Sequence, residues 1–166
     1  MSTPYKFKDS LEDGEDHEKV LDEYYNKWYS INSVSMLAQK AGIDRTWTNR
    51  SDGFRYSVEY KADTTAGRTG NAFIETVSND ATGKKGWAYT SCAQILIYYI
   101  PPLKKAYRMT VITLKHMTRE WKETYSYVQT IPNEGYNTLG LLVPLSEFEK
   151  YCYSTDFIKK ENDNYG

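Results

Sequence analysis

Between Phe54 and Lys61 apolar and polar residues alternate without a break: Phe54, Tyr56, Val58 and Tyr60 fall on one side of an extended chain, Arg55, Ser57, Glu59 and Lys61 on the other. This pattern predicts a strand with one apolar face. Same-side residues stand roughly 6 to 7 Å apart, so Glu59 and Lys61 present a carboxylate and an ammonium to a common point. Ser51-Asp52-Gly53 reads as a tight hairpin turn. Residues 43–49 before it form the partner strand, which sets Asp44 opposite the far end of the second strand.

Upstream, Val20, Leu21, Tyr24, Tyr25, Trp28, Ile31, Val34 and Leu37 recur at spacings of three and four, predicting an amphipathic helix from about Asp16 to Lys40 with Gly42 as its stop. Glu18 shares a face with Leu21 and Tyr25. It is open to two readings, one more acid at the positive end of the helix dipole or a side chain turned inward toward the sheet. Downstream the pattern gives a loop over 64–71, a third strand over 72–77 and a second loop over 78–85. A short helix follows from Thr90 or Ser91 to Tyr99, ended by Pro101-Pro102. A fourth strand over 109–115, an ambiguous stretch over 120–128, a fifth strand over 139–143 and a helix over 147–153 capped by Ser146 complete the chain. Residues 1–15 and 159–166 read as loose termini. The order predicts an α/β fold, a mixed β-sheet of about five strands flanked by helices on both faces, in a single domain over 1–166.

Charge adds a polarity that the net value of −1 hides. Residues 1–23 carry eight acids against three lysines, whereas residues 84–122 carry eight lysines and arginines against Glu120 alone. Such a chain can meet a polyanion on one side without being basic overall. A solvated surface whose charges cluster in sequence is the alternative. Cys92 and Cys152 are too few for a disulfide framework, and with only His17 and His116 beside them they argue against a zinc site. Both cysteines are expected in the core, in a reducing compartment. No signal peptide opens the chain and no apolar run approaches the ~20 residues that cross a bilayer, so the expected setting is cytoplasmic, with no membrane partner.

Two carboxylates from neighbouring strands are hard oxygen ligands of the kind Mg²⁺ (or Mn²⁺) takes while keeping several waters. Asp44 and Glu59 are that pair, and the backbone carbonyl of Tyr60 is a further oxygen between Glu59 and Lys61. Lys61 has a separate task, orienting a water or offsetting charge that develops on phosphorus. Together they point to metal-assisted phosphodiester hydrolysis. A Glu-x-Lys pair alone is also what a solvated ion pair looks like. The alternation, the acid one strand earlier and the elements that follow raise it above that. Asp52 competes with Asp44 as the first acid but belongs to the turn, and Asp63 and Glu75 are weaker candidates. Arg68, Lys84 and Lys85, in loops flanking these residues, are candidates for gripping backbone phosphate, a solvated loop being the alternative.

The arrangement resembles the PD-(D/E)XK nuclease superfamily, whose restriction-endonuclease-like core is a helix, a hairpin carrying an acid and then Glu-x-Lys, a third strand, a helix and a further strand. The likeness covers roughly residues 16–116. It implies that Asp44 is the first acid, Glu59 the second and Lys61 the lysine, with Glu18 where many members place an extra helical acid. Ile43 stands where the nominal proline precedes the acid. Gln94 and Tyr98 look like the Gln-x-x-x-Tyr signature of the exonuclease-like branch, one helical turn apart, a helix packed on the sheet being the alternative. The resemblance implies a Mg²⁺-dependent nuclease acting on DNA, with RNA not excluded; small size and a single site make a homodimer the expectation where both strands are cut. The alternatives are a non-catalytic nucleic-acid-binding or assembly module that keeps the fold, and an RNA-processing endonuclease.

Overall fold

The computed structural model describes residues 7–125 and 128–159. In chain order its elements are α1 (Phe7–Tyr25), β1 (Tyr29–Ser33), α2 (Met36–Lys40), β2 (Arg45–Asn49), β3 (Arg55–Ala62), α3 (Ala66–Thr69), β4 (Asn71–Asn79), β5 (Lys84–Lys85) and α4 (Trp87–Thr90). There follow β6 (Ile95–Ile100), β7 (Lys105–Thr110), α5 (Val111–Thr124), β8 (Val128–Pro132), β9 (Asn137–Pro144), α6 (Leu145–Glu149) and β10 (Ser154–Phe157). They build two sheets. The first is mixed and six-stranded, in the order β1-β2-β3-β6-β7-β10; the second is antiparallel and four-stranded, in the order β5-β4-β9-β8.

The hairpin forms as its pattern predicts. β2 and β3 pair antiparallel with Arg45 opposite Val58 and Trp47 opposite Tyr56. Asp52 closes the turn by accepting from the Phe54 N–H at 2.8 Å. Tyr56, Val58 and Tyr60 pack with Leu21 and Tyr25 of α1 and with Trp47. β3 then pairs with β6 in parallel, Glu59 beside Leu96 and Lys61 beside Tyr98. A parallel pair needs a crossover, and here α3, β4, β5 and α4 supply it, so the chain builds part of the second sheet before returning to the first.

That route overturns several expectations. The predicted helix over 16–40 ends at Tyr25 and continues as β1 and α2, the latter capped by Ser35. Aromatic Tyr29 and β-branched Ile31 favour the strand, and hydrophobic spacing runs on across Asn26 and Lys27 without marking the break. Residues 7–15, expected to be loose, belong to α1; residues 1–6 and 160–166 lie outside the described residues. The predicted helix ending at Tyr99 is strand β6, in which all six residues are buried. Its Ile95, Ile97 and Tyr99 face α1, while Leu96, Tyr98 and Ile100 face the other layer.

Residues 111–115, expected in a strand, open α5, whose Thr110 cap accepts from Thr113 N–H and whose Val111, Leu114, Met117, Thr118 and Trp121 are buried at helical spacing. The last helix runs over Leu145–Glu149 rather than 147–153, with Pro144 rather than Ser146 at its cap, and β10 was not anticipated. Helices thus cover the two faces of the six-stranded sheet unequally. α1 takes one face, whereas β4 and β9 share the other with α5 and α6 around Phe148. Both cysteines are free, but Cys92 is exposed rather than in the core. Among the described residues no helix is long and apolar enough to cross a membrane.

Candidate active site

Asp44 extends the hairpin one residue beyond Arg45. Its N–H donates to the Val58 carbonyl at 2.8 Å, and its Oδ2 accepts from the Tyr60 N–H at 2.7 Å. The ladder ends at the Arg45–Val58 pair, and Asp44, one residue outside it, caps the edge of β3 at Tyr60, the residue next to Glu59. The N–H and C=O of one strand residue point the same way, so the Tyr60 carbonyl is also turned toward the Asp44 side.

Glu59 is 2 % exposed. Its Oε1 lies 2.9 Å from Lys61 Nζ, and its Oε2 is buried without a hydrogen-bond partner. Beneath that oxygen run Gly42 and Ser91. A Cβ on Gly42, where φ is +77°, would stand 3.3 Å from Glu59 Oε2 and 3.0 Å from Ser91 Cα, so only glycine leaves both in place. Ser91 Oγ donates to the Gly42 carbonyl at 3.3 Å and the Cys92 N–H donates to Ala41 at 2.8 Å. These bonds lock the segment before β6 under the segment before β2.

An orphaned, buried carboxylate oxygen costs free energy unless something positive meets it. With the Asp44 carboxylate on the Tyr60 N–H, one residue from Glu59, and the Tyr60 carbonyl turned to the same side, the available donors are all oxygen and suit Mg²⁺ or Mn²⁺. Among the described residues no three His, Cys, Asp or Glu side chains group closely enough to hold a metal. The fit is therefore to an ion that takes two carboxylates and completes its shell with water and substrate oxygens, as Mg²⁺ does.

Lys61, with a third of its side chain exposed, reaches from Glu59 across the Trp87 indole, 5.7 Å from its centre. Beyond it stands Glu75 of β4, an acid whose place the sequence reading understated. Burial pushes its carboxyl above the ordinary range; a hydrogen bond from the Trp87 N–H and the Lys61 charge oppose this, and the Glu59 charge reinforces it. The alternation of β4 was the available signal, since Ala72 and Ile74 are buried and Glu75 falls on the other side.

Glu18 is brought near Asp44, whose charge it feels, but it is engaged elsewhere: its Oε2 lies 2.9 Å from Arg45 Nη2. Arg45 also pairs with Asp22 at 3.0 Å, Asp22 accepts from the Tyr60 hydroxyl at 2.9 Å, and that hydroxyl accepts from Trp47 Nε1 at 3.1 Å. This network lies on the α1 face of the sheet, opposite Glu59. Gln94 and Tyr98 do not form a helical signature. Gln94 is exposed before β6 and accepts from the Ser57 N–H at 3.0 Å. Tyr98 is buried on β6, where its hydroxyl donates to Asp63 and accepts from the Phe73 N–H. Asp63 Oδ1 accepts from Thr65 and Ala66, so both oxygens of Asp63 are used in holding the loop. Asp52 is likewise a turn residue. Arg68 on α3 and Lys84 and Lys85 on β5 are exposed, and Lys84 is close enough to act on Glu75. No known protein family, characterised protein or solved structure matches the chain.

Proposed function

We propose that the protein is a divalent-cation-dependent nuclease that hydrolyses phosphodiester bonds in DNA, built on the plan of the PD-(D/E)XK superfamily. The observation that carries this reading is the buried Glu59 carboxylate, one oxygen on Lys61 and the other without a partner, with the Asp44 carboxylate bonded to the next residue's N–H at the end of the hairpin. The chain departs from the implied plan after the hairpin, where the next strand belongs to a second sheet and the helix before the parallel strand is the single turn α4.

Asp44, Glu59 and the Tyr60 carbonyl would hold the ion. Mg²⁺ or Mn²⁺ supplies positive charge against the phosphoryl oxygens and makes water a better proton donor. Lys61 anchors its ammonium on Glu59, from where it orients the attacking water or offsets charge growing on phosphorus. Water adds to phosphorus, one P–O bond breaks and the departing oxygen takes up a proton. Lys84, whose charge reaches Glu75, and the exposed Arg68 and Lys85 would supply positive charge to neighbouring phosphates. One site cuts one strand, so severing a duplex takes two copies, and light scattering of the protein alone and with DNA reads that homodimer directly.

The test is incubation of the purified protein with supercoiled, linear, branched and single-stranded DNA in Mg²⁺, Mn²⁺ or EDTA. Cleavage is expected only with the cation, and Lys61→Ala or Asp44→Ala is expected to lower it by about 10²–10³. Turnover that survives either substitution ends this reading. Binding without cleavage, together with no cation effect on melting, favours instead a non-catalytic module.

A further inference from the structure

Beside Lys61 a cleft of about 270 Å³ opens between the end of β3 and the second sheet. Its walls are the Trp87 and Phe73 rings, with Leu142 and Ile131; Asn71 and three threonines of the 64–69 loop form a polar edge, and Lys61 stands at the end toward Glu59. The cleft is built rather than incidental. Asp63 ties the threonine loop to Tyr98 and to the Phe73 N–H through both of its oxygens. Gly140 leaves the space that the Phe73 ring fills, since a Cβ there would stand 2.4 Å from it.

We infer that this cleft receives one unstacked nucleobase of the strand being cut, next to the phosphate held at Asp44 and Glu59. The inference rests on the nuclease reading and narrows its substrate class. Among the described residues Lys61 is the one cation in the lining and is already paired with Glu59, while Asp63 adds a negative group, so the cleft does not itself take a phosphate. Aromatic and aliphatic walls with a polar edge suit a flat heterocycle, whose faces stack on rings while its rim hydrogen-bonds. The size sets the limit. Ligand sites run from about 300 to 1,000 Å³, and a space just below that range holds one ring system and excludes a base pair. A base inside it has left its helix, as enzymes that act on flipped or single-stranded nucleotides require. Single-stranded, gapped and branched DNA are therefore the substrates, and a continuous duplex is cut only where a base opens.

Two measurements on the full chain separate this inference from the reading beneath it. In EDTA, single-stranded oligonucleotides carrying 2-aminopurine at successive positions are titrated with protein. One position is expected to show fluorescence quenching, which Trp87→Leu removes and Trp28→Phe, outside the cleft, preserves. Because Trp87 also packs on Tyr98, Ile131→Trp, at a residue 41 % exposed, serves as a second variant that fills the cleft from its rim and is expected to abolish the quench. In Mg²⁺, oligonucleotides with a single abasic position are scanned for cleavage. One position adjoining the cut is expected to slow it about tenfold or more, and Ile131→Trp is expected to slow the intact strand to the abasic level without slowing the abasic strand further. A flat quench profile, or quenching that both variants retain, overturns the inference, as does a flat abasic scan. Position-specific quenching without cleavage by the wild type leaves the base site standing and removes the nuclease reading.

Discussion

The two faces of β3 carry the same alternation and opposite chemistry. On the α1 face Tyr60 is buried, yet its hydroxyl, the Trp47 indole and the Asp22 carboxylate satisfy one another, and Arg45 closes the network onto Glu18. On the other face Glu59 is as deeply buried, but one of its oxygens has no partner. The strand completes its hydrogen bonds on one side and leaves a carboxylate oxygen open on the other, one residue away, an arrangement that packing alone does not favour. The prediction is that neighbouring substitutions split cleanly into those that cost stability and those that cost chemistry.

The largest effect belongs to the α1 face. Trp47, fully buried between Tyr25 and Tyr29, loses about 3–5 kcal/mol of folding stability on substitution by alanine, read as a shift in the urea midpoint. Glu59→Gln comes next and acts in the other currency. Cleavage falls by about 10²–10³, while the urea midpoint in EDTA stays level or rises, because a buried charge is removed and Lys61, a third exposed, can turn to water. An upward shift in melting temperature with Mn²⁺ is expected for the wild type and is expected to disappear with this substitution. Tyr60→Phe is the mirror image at the next residue. It deletes the hydroxyl shared by Trp47 and Asp22 at a cost of about 1 kcal/mol and keeps the backbone carbonyl, so cleavage stays within about twofold. Equal losses of activity in the residue 59 and residue 60 variants would erase the distinction between the faces.

How much of this was legible beforehand follows range of interaction. The hairpin and its turn depend on residues within a dozen or so positions of one another, and alternation plus Ser51-Asp52-Gly53 sufficed to place them. β6 defeated the same reasoning. Buried on both faces, Ile95–Ile100 is a continuous apolar run with no period to distinguish strand from helix, and the supposed helical pairing of Gln94 with Tyr98 fell with it. Burial of Glu59 was invisible for a related reason. A polar face looks solvated until β4, Gly42 and Ser91 arrive over it from elsewhere in the chain, and the same distant packing brings Glu75 into the field of Lys61.

The smallest effect probes the edge of the comparison through the two thiols. Cys92 is exposed in the segment that floors Glu59, and Cys152 packs against the core on the α6 side. Burial, reinforced by the Glu149 charge and opposed by Lys105, pushes the Cys152 thiol up to about 12 from an ordinary 9.0. Since the folded value is the higher, the stability gained by keeping this thiol neutral is fully present below pH 9 and drains away as pH climbs toward 12. Below that window the thiolate is the reactive form and Cys152 withholds it. Iodoacetamide at mildly alkaline pH is expected to label Cys92 rapidly and Cys152 only after urea, with mass spectrometry counting the adducts. Labelling of both at the same rate in the native protein would mean that the packing around α6 is open. Rapid labelling of Cys92 with the melting temperature preserved places the floor of the Glu59 site within reach of solvent from that side, while the carboxylate above it stays dry.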